Sequence, residues 1–433
     1  MPSAPIDDAP SRQSADGTII VGTAAELVAA LSPVNAGQRI LVRAGSYAVT
    51  APLTVPDGAT LEGEGVMQFD GAGLPVGFGA ASQTVLTMTA NVPGSMLTLG
   101  NGATLRRLKV ADLADRGGNV VSVLSRAPGD RVSASIVESE IINLSAMGAN
   151  PEGPTGNGVL VLTRNPNLGA DPAAHESAAI TAGLARSVIR SPAGGVGVFA
   201  FNFAAMGKVS VSLAGNVVGG GIVANGGVSR PDAVHDAQVT IESHGNLYRD
   251  NSPDPCATPH LGWNLTGGSG PPAPLPVPET SNNALRVHSV DDRVEGFASG
   301  VVATGSRRFF PAPIAGPSTG NRVELELLRG TISTPSCGGA PFVRDFDLAG
   351  AFSGGDDFSP GQGNSVSVIL QGMTGSGARF NRYESALGPS GPLAPELAGG
   401  NRLEFAGSPR AFAATNARID PAPGSEHFSG AAR

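Results

Sequence analysis

Residues 209–213 read Val-Ser-Val-Ser-Leu, an alternation of apolar and polar side chains that returns along much of the chain. Successive side chains of a β-strand point to opposite faces, so this alternation predicts a strand that buries one face only. The interval between copies varies from 29 to 46 residues, within the roughly 20–50-residue periods of repeat proteins. The other copies are residues 239–243, 285–289, 323–327, 366–370 and 403–405, with weaker ones at 134–136 and 180–182.

The repeat predicts a β-solenoid. Helical repeats need apolar residues at i, i+3, i+4 and i+7, a spacing that these segments do not have. A strand with one apolar face cannot bury it alone, so successive turns of the chain must stack. Gly-Asn pairs at 215–216 and 245–246 fit the corners, because both residue types tolerate a positive φ. A β-propeller is the second interpretation, although its blades need four strands in about 40–50 residues.

The first 65 residues add a more specific pattern. Residues 18–21 predict a strand, and residues 23–31 predict a short helix in which Thr23 and Glu26 form a capping box. After it come ILVRAGSY at 40–47 and LTVPDGATLEGEG at 53–65. This N-terminal segment resembles that of the pectin lyase-like right-handed parallel β-helix superfamily. The resemblance implies the fold; the superfamily includes lyases, hydrolases, epimerases, fructotransferases, phage tailspikes and adhesins, so it does not fix the function.

The chain is expected to form one elongated domain. We predict a disordered or extended arm at 1–17, a single parallel β-helix at 18–415, all-β apart from its short N-terminal capping helix, and a tail at 416–433. About 11 or 12 coils spaced by about 4.8 Å give a rod near 55 Å long. The proline-rich segments 267–283 and 310–321 predict extended excursions that wall a groove, or surface loops without a role.

Charge and composition exclude several classes of partner. The net charge is −8 and there are only two lysines, so a nucleic-acid-binding face is not expected. No apolar run approaches the roughly 20 residues of a membrane helix. The spacing of Cys256 and Cys337 argues against a structural zinc site, and both a disulfide and two free thiols remain open.

The N-terminus is polar and proline-rich and shows no signal-peptide core. Either the sequence is that of a mature bacterial-type chain whose leader has been removed, or the protein is cytoplasmic. The expected location is secreted or periplasmic, with the cytoplasm as the alternative. The superfamily resemblance also leaves a homotrimer open, since β-helices often trimerise along their sides.

The outward residues of stacked strands form columns with a spacing of about 4.8 Å. Glu242 and Glu326 are expected two steps apart, about 9.6 Å between backbones, with His288 between them. That separation permits the two carboxylates of an inverting glycosidase. The alternative is a cross-strand charge ladder that only stabilises the fold. The two predicted columns are Ser210, Thr240, Arg286, Glu324, Ser367 and Glu404, and Ser212, Glu242, His288, Glu326 and Ile369.

Neighbouring side chains are candidates for substrate binding. Arg286, Glu324 and His244 fall in the same patch as the two carboxylates. Tyr248 and Trp263 belong to the coil that begins at Val239, and they are the aromatic residues that we expect to stack on a sugar.

A second candidate cluster is the loop 229–236, Ser-Arg-Pro-Asp-Ala-Val-His-Asp. His235, flanked by Asp232 and Asp236, could act as an oriented general base. The segment faintly resembles the Asp-Pro-His-Asp motif of alginate-epimerase-like β-helices, but it departs from that motif in order and by two inserted residues. The alternative is that these acids cap backbone amides of a turn.

No metal site or cofactor is predicted, and Ca²⁺ is the one ion that acidic pairs such as Asp356-Asp357 would admit. The pair Asp291-Asp292 reads as turn formers or as a supplementary acid. The expected function is that of a carbohydrate-active protein that binds or cleaves a glycan or oligosaccharide by hydrolase or transferase chemistry. The alternatives are a non-catalytic surface or adhesion scaffold, or a β-helix lyase or epimerase.

Overall fold

The computed structural model describes most of the chain between residues 12 and 407. The described residues are 12–14, 17–80, 83–88, 90, 94–113, 118–144, 149–150, 153–154, 156–163, 176–191, 195–229, 233–257, 260–270, 279–308, 318–337, 344–353, 361–375, 379–386 and 401–407. The predictions made for Asp232, for Asp356-Asp357 and for the tail at 416–433 lie outside these residues. Within them, α1 (Ala24–Ala30) has only seven residues, and no helix is long and apolar enough to cross a membrane.

Apart from α1 and a 3₁₀ turn at Pro33–Asn35, the regular structure of these residues is β-strand. The strands of the N-terminal part are β1 (Arg12–Gln13), β2 (Ile19–Val21), β3 (Arg39–Val42), β4 (Gly45–Val49), β5 (Leu53–Val55), β6 (Thr60–Gly63), β7 (Met67–Phe69), β8 (Pro75–Phe78), β9 (Thr84–Met88), β10 (Ser95–Leu99), β11 (Ala103–Arg106), β12 (Lys109–Asp112) and β13 (Asn119–Leu124). The central strands are β14 (Arg131–Val137), β15 (Glu140–Asn143), β16 (Ala149–Asn150), β17 (Gly153–Pro154), β18 (Val159–Leu162), β19 (Ala179–Ala185), β20 (Val188–Arg190), β21 (Val198–Phe201), β22 (Lys208–Ala214), β23 (Val217–Gly219), β24 (Ile222–Asn225), β25 (Val234–His235), β26 (Gln238–His244) and β27 (Leu247–Arg249). The C-terminal strands are β28 (Leu261–Gly270), β29 (Thr280–Ser281), β30 (Ala284–Val290), β31 (Arg293–Glu295), β32 (Ser299–Arg308), β33 (Ser318–Thr319), β34 (Arg322–Leu328), β35 (Thr331–Ser333), β36 (Arg344–Ser353), β37 (Gly361–Gln362), β38 (Ser365–Gln371), β39 (Thr374–Gly375), β40 (Arg379–Ala386) and β41 (Arg402–Gly407).

Three long sheets wind around one interior. Sheet A has the order β1-β2-β3-β6-β11-β14-β19-β22-β26-β30-β34-β38-β41, and all its pairs except β1–β2 are parallel. Sheet B joins ten strands from β4 to β39, and sheet C joins ten from β5 to β40. From β3 to β40, each of ten coils contributes one strand to each sheet before the next coil begins. Parallel crossovers are right-handed in about 98% of cases, and the fold is the right-handed parallel β-helix that the resemblance implied.

All eight alternating segments found in the sequence lie in sheet A. The segment at 209–213 is the centre of β22, the one at 239–243 is the centre of β26, and the others fall in β14, β19, β30, β34, β38 and β41. Sheet A has twelve strands from β2 to β41, of which ten begin complete coils and two belong to the incomplete coils at the ends, close to the expected 11 or 12 coils. The period-2 pattern was strongest here because one face of this sheet is buried and the other meets solvent.

The interior is filled by the inward residues of the three sheets. On β22, Val209, Val211 and Leu213 are at most 1% exposed, whereas the intervening side chains point outward. The same positions on β26 are Val239 and Ile241, both fully buried. Each such side chain contributes roughly 1.5–3 kcal/mol of transfer free energy when it leaves water, and only the stacking of neighbouring coils removes water from both of its sides.

The N-terminal helix closes the first coil as predicted. The Thr23 side chain accepts from the Glu26 amide, and the Glu26 carboxylate accepts from the Thr23 amide, which is a complete capping box. Leu27 and Ala30 are the buried residues of this helix, and both belong to the continuous core. The helix therefore covers apolar residues that would otherwise face water at the open end.

Asparagine ladders bind the corners of the coils together. Asn216 donates from its backbone amide to Asn246 Oδ1 at 2.8 Å, and Asn246 donates to Asp292 Oδ1 at 2.7 Å. Gly215 and Gly245 have φ values of 61° and 62°, as expected for the corners. Asn216 and Asn246 were expected at the corners because asparagine tolerates a positive φ, but neither has one. Both are instead buried and hydrogen-bonded to the next coil. A second ladder joins Asn283, Asn321, Asn364 and Asn401.

The two cysteines are bonded to each other. Cys256 lies between β27 and β28, and Cys337 lies between β35 and β36, so the disulfide spans two coils, with a Cα–Cα distance of 5.5 Å. This decides the question that the spacing left open.

The proline-rich excursions are shorter than predicted. Residues 267–270 continue β28, and Thr280–Ser281 forms β29, so the interval 267–283 is partly strand. Residues 271–278 and 309–317, where the groove walls were expected, lie outside the described residues. β25, β29, β33 and β37 form a small parallel sheet, sheet D, beside the corner that leads into sheet A.

Candidate functional site

The two predicted columns are present on the outward face of sheet A. Thr240 pairs with Arg286, and Arg286 with Glu324, in the registers of β26, β30 and β34. In the neighbouring column Glu242 pairs with His288, and His288 with Glu326. The outer members of both columns, from Ser210 to Glu404 and from Ser212 to Ile369, also follow the predicted register.

The local sequence explains why these side chains face solvent. Val239 and Ile241 are fully buried on β26, so the residues between and after them, Thr240 and Glu242, must point outward. β30 repeats the arrangement, with Val287 buried next to His288. No register shift occurs between these strands, so the alternation carries the column across coils.

Glu242, His288 and Glu326 form a connected row. His288 Nδ1 lies 3.0 Å from Glu242 Oε2, a hydrogen bond, and His288 Nε2 lies 3.9 Å from Glu326 Oε2. The side chains are 47%, 35% and 47% exposed in that order, so all three are accessible from solvent. The imidazole therefore occupies the space between the two carboxylates.

The adjacent column is an ion-pair row. Arg286 Nε donates to Glu324 Oε2 at 2.8 Å, and Arg322 Nε lies 3.3 Å from Glu324 Oε1. Both arginines are half-exposed, so the pairs are screened by water and contribute about 0–1 kcal/mol each. Their positive charges are thereby held next to Glu324 rather than next to His288.

His244 completes the patch at the end of β26. Its ring lies 5.6 Å from the ring of His288, centroid to centroid, in an edge-to-face arrangement. His244 is exposed, and on the next strand its backbone partner is Val290, so it reaches His288 diagonally. Ligand atoms of Glu242, His244 and His288 all lie within 4.8 Å of one another.

Asp291, at the corner after β30, forms an exposed pair with Arg329, at the corner after β34. Arg329 donates from Nε and from one terminal nitrogen to the two oxygens of Asp291, each at 2.9 Å. This contact lowers the pKa of Asp291, mainly through the hydrogen bond from Arg329, and the charge of His244 acts in the same direction.

The expected sugar-stacking aromatics are in the core, so that prediction is wrong. Trp263 is 2% exposed and Tyr248 is fully buried, and their rings pack edge to face at 5.2 Å. The Tyr248 hydroxyl bonds Ser243 Oγ at 2.6 Å, and burial raises its pKa well above 10. Both rings fill the interior of the coil, where no surface ligand reaches them.

The second cluster is separate from the first. His235 Nδ1 lies 3.0 Å from Asp236 Oδ2, and His235 pairs along sheet D with Ser281. Asp236 has a φ of 54° at the corner before the buried Ala237. This corner separates His235 and Asp236 from the Glu242 row, so the described residues do not assemble the general-base cluster with the paired carboxylates.

Two acidic residues have surroundings that the sequence does not show: Asp292, expected as a turn former or a supplementary acid, and Asp250, which no motif contains. Asp292 is 2% exposed and accepts from Asn246 and from Ser289 Oγ, and burial raises its pKa. Asp250 Oδ1 lies 3.0 Å from His260 Nδ1, and Cys256 lies between these two residues in the sequence. The sequence marks Asp292 as one of two adjacent acids at a corner, and its burial follows from its place in the ladder one coil after Asn246.

Comparison with known proteins adds little to this geometry. No family model and no curated protein is similar to the chain. Among solved structures, the Dettilon tailspike protein (gp208) has 10% identity and a TM-score of 0.35, with 88% of this chain and 64% of that chain covered. Geobacillus virus E2 ORF18 has 10% identity and a TM-score of 0.31, with 81% and 53% covered. The chain thus spans less than two thirds of either protein, and TM-scores below 0.5 carry no argument about function.

Proposed function

We propose that this protein is a carbohydrate-active β-helix that binds a neutral glycan on the outward face of sheet A and cleaves it with Glu242 and Glu326. The observation that supports the proposal is the row in which two accessible carboxylates flank His288. Their backbones are two coil steps apart, about 9.6 Å, which is compatible with the roughly 6.5–9.5 Å carboxyl separation of inverting glycosidases.

The charge of the patch favours a neutral ligand. Glu242, Glu326 and Glu324 outnumber the nearby arginines Arg286 and Arg322, and the whole chain carries −8. A polyanionic substrate would be repelled by this surface. Sugar hydroxyls, in contrast, can donate to the carboxylates and accept from the imidazole. His288 must rotate from between the carboxylates for water and a sugar to enter.

The test compares E242Q and E326Q with wild-type protein on a panel of neutral oligosaccharides and polysaccharides. Binding is followed on immobilised glycans, and cleavage by the release of reducing ends. Removing a general acid or base should lower the cleavage rate by about 10²–10⁴-fold. E295Q is the matched control, because Glu295 forms a 3.0 Å cross-coil pair with Arg249 on sheet B, away from the row.

A non-catalytic scaffold is the second candidate, and a specific observation favours it. The charged side chains at the centre of the two rows already pair across coils, as Arg286–Glu324, Glu242–His288 and His288–Glu326. If E242Q and E326Q leave glycan binding and cleavage at the wild-type level, the carboxylates are a structural ladder and the enzymatic proposal fails. Glycan binding that both variants weaken, without any product, supports recognition alone.

We also propose that the protein works outside the reducing cytoplasm. The support is the Cys256–Cys337 disulfide, because such bonds persist mainly in oxidising compartments. Thiol titration of the protein isolated from its native source without reductant tests this, since two free thiols would contradict it. Light scattering of the same sample tests the homotrimer.

A further inference from the structure

We propose that Glu242, His244 and His288 bind a first-row transition-metal ion, with Zn²⁺ as the reference ion. The inference requires only that these three side chains converge, and it does not rest on the glycan proposal; since it shares Glu242 and His288 with that proposal, a bound ion would occupy the site that the glycan proposal assigns to cleavage. Their ligand atoms lie within 4.8 Å of one another on two consecutive strands of sheet A.

The donor set determines the class of ion. Two imidazoles and one carboxylate suit Zn²⁺, Cu²⁺ and Ni²⁺, whereas Ca²⁺ and Mg²⁺ prefer sets made of oxygen. Zinc binds imidazole nitrogen at about 2.0–2.1 Å and carboxylate oxygen at about 2.0–2.2 Å. Donors around one ion must therefore lie closer together than 4.8 Å, which exposed side chains reach by rotation while the strands stay in place.

The existing hydrogen bond orients one of the ligands. His288 Nδ1 faces Glu242 Oε2 at 3.0 Å, so these two atoms already point toward a common position. An ion held by both would replace their hydrogen bond and bind His288 through Nδ1. The other ring nitrogen, Nε2, faces the Glu326 carboxylate, the kind of outer partner that fixes the orientation of a metal-binding imidazole. His244, edge to face with His288, supplies the second imidazole.

The surrounding charges favour a cation. Glu326 Oε2 is 3.9 Å from His288 Nε2 and adds a negative charge on the far side of the ring. Arg286, the nearest arginine along β30, is held by Glu324 at 2.8 Å. Three protein ligands leave one position of a tetrahedral zinc ion open, which water can fill.

The test uses the chelator-treated protein of residues 1–433 and ZnCl₂ in isothermal titration, with the visible absorption of bound Co²⁺ as a second readout. Wild-type protein should bind one equivalent, and H244A and H288A should each raise the Kd at least about tenfold. E242Q keeps the shape of the side chain and should also weaken binding. H235A is the matched control, because His235 is a half-exposed histidine with a carboxylate 3.0 Å away at another site.

Three outcomes would overturn the proposal. One is the absence of saturable binding of Zn²⁺ up to about 1 mM, the weak end of specific binding. Another is that H235A weakens binding as much as H244A does. The third is that equimolar Ca²⁺ displaces Co²⁺, which would place the ion in an oxygen site. None of these readouts involves a glycan, so a failure here is distinguishable from a failure of the proposed activity.

Discussion

Reduction of the Cys256–Cys337 bond should destabilise the C-terminal half of the coil by an amount that the loop length sets. The bond closes a loop with a sequence separation of 81 residues. In the chain-entropy relation such a loop loses about 15 cal/mol/K in the unfolded state, which is about 4.5 kcal/mol at 25 °C. Coils of a solenoid contact only their neighbours, so the bond adds a link between coils that are otherwise joined only through the coil between them.

The assay is guanidinium unfolding of three samples: oxidised wild-type protein, the same protein with reductant, and the variant that combines C256S and C337S. Measured disulfide effects are often smaller than the entropy relation gives, so the expected loss in unfolding free energy is about 2–4.5 kcal/mol. The reduced protein and the double variant should coincide. Reductant should leave the double variant unchanged, which controls for any effect of the reagent itself.

The reasoning is refuted if the oxidised and reduced proteins unfold at the same denaturant concentration with the same slope. In that case the coils that carry β27 to β36 would not separate in the measured transition, and the bond would constrain nothing that unfolds. If the bond changes only the slope of the unfolding free energy against denaturant concentration, it acts on the compactness of the unfolded chain instead.

Two further predictions concern the corner ladder. Burial raises the pKa of Asp292, so the folded protein binds the carboxyl proton of Asp292 more tightly than the unfolded chain does. The stability that this provides is complete below pH 3.8, the ordinary pKa of the group, and is lost as the pH rises through the raised pKa. D292N has no group that titrates at this position and should not lose stability in this way. The unfolding free energy of D292N minus that of wild type should therefore increase between pH 4 and pH 7, and a difference that stays constant over this range would contradict a raised pKa of Asp292. N246A should cost at least about 3 kcal/mol, because it leaves the amide groups of Asn216 and the carbonyl of Leu213 without their buried partner, at about 1–3 kcal/mol per group. N251A, which removes a single hydrogen bond to Ser191, is the control and should cost about 1 kcal/mol in chemical unfolding.

The sequence predicts sheet A well because its strands are long and have one wet face. β22, β26, β30 and β34 are uninterrupted strands in continuous register, so the alternation alone assigns Glu242, His288 and Glu326 to one column. The strands of sheets B and C are harder to find. β27 has only three residues, and β18 is buried on both faces, so neither shows a period of two.

This difference explains the error over the aromatic residues. Tyr248 lies in the three-residue strand Leu-Tyr-Arg, and Trp263 lies among glycines and polar residues in β28, so no alternation shows which way either ring points. Only the three-dimensional closure of the coil places both in the interior. The same holds for the two adjacent acids. Asp291 is exposed and paired with Arg329, whereas Asp292 is buried, and nothing in the local sequence distinguishes the two.

The patch formed by Glu242, His244 and His288 is drawn from only two consecutive turns of the rod, β26 and β30. Because each turn carries its own inward apolar residues and its own corner asparagine or aspartate, this two-turn unit contains the three side chains together with most of the residues that support them. Duplication of the unit would copy the patch at a fixed distance along the rod, and loss of a turn elsewhere would leave it intact. The length of such a rod and the number of patches on it can thus change by whole turns, while the residues of each patch stay the same.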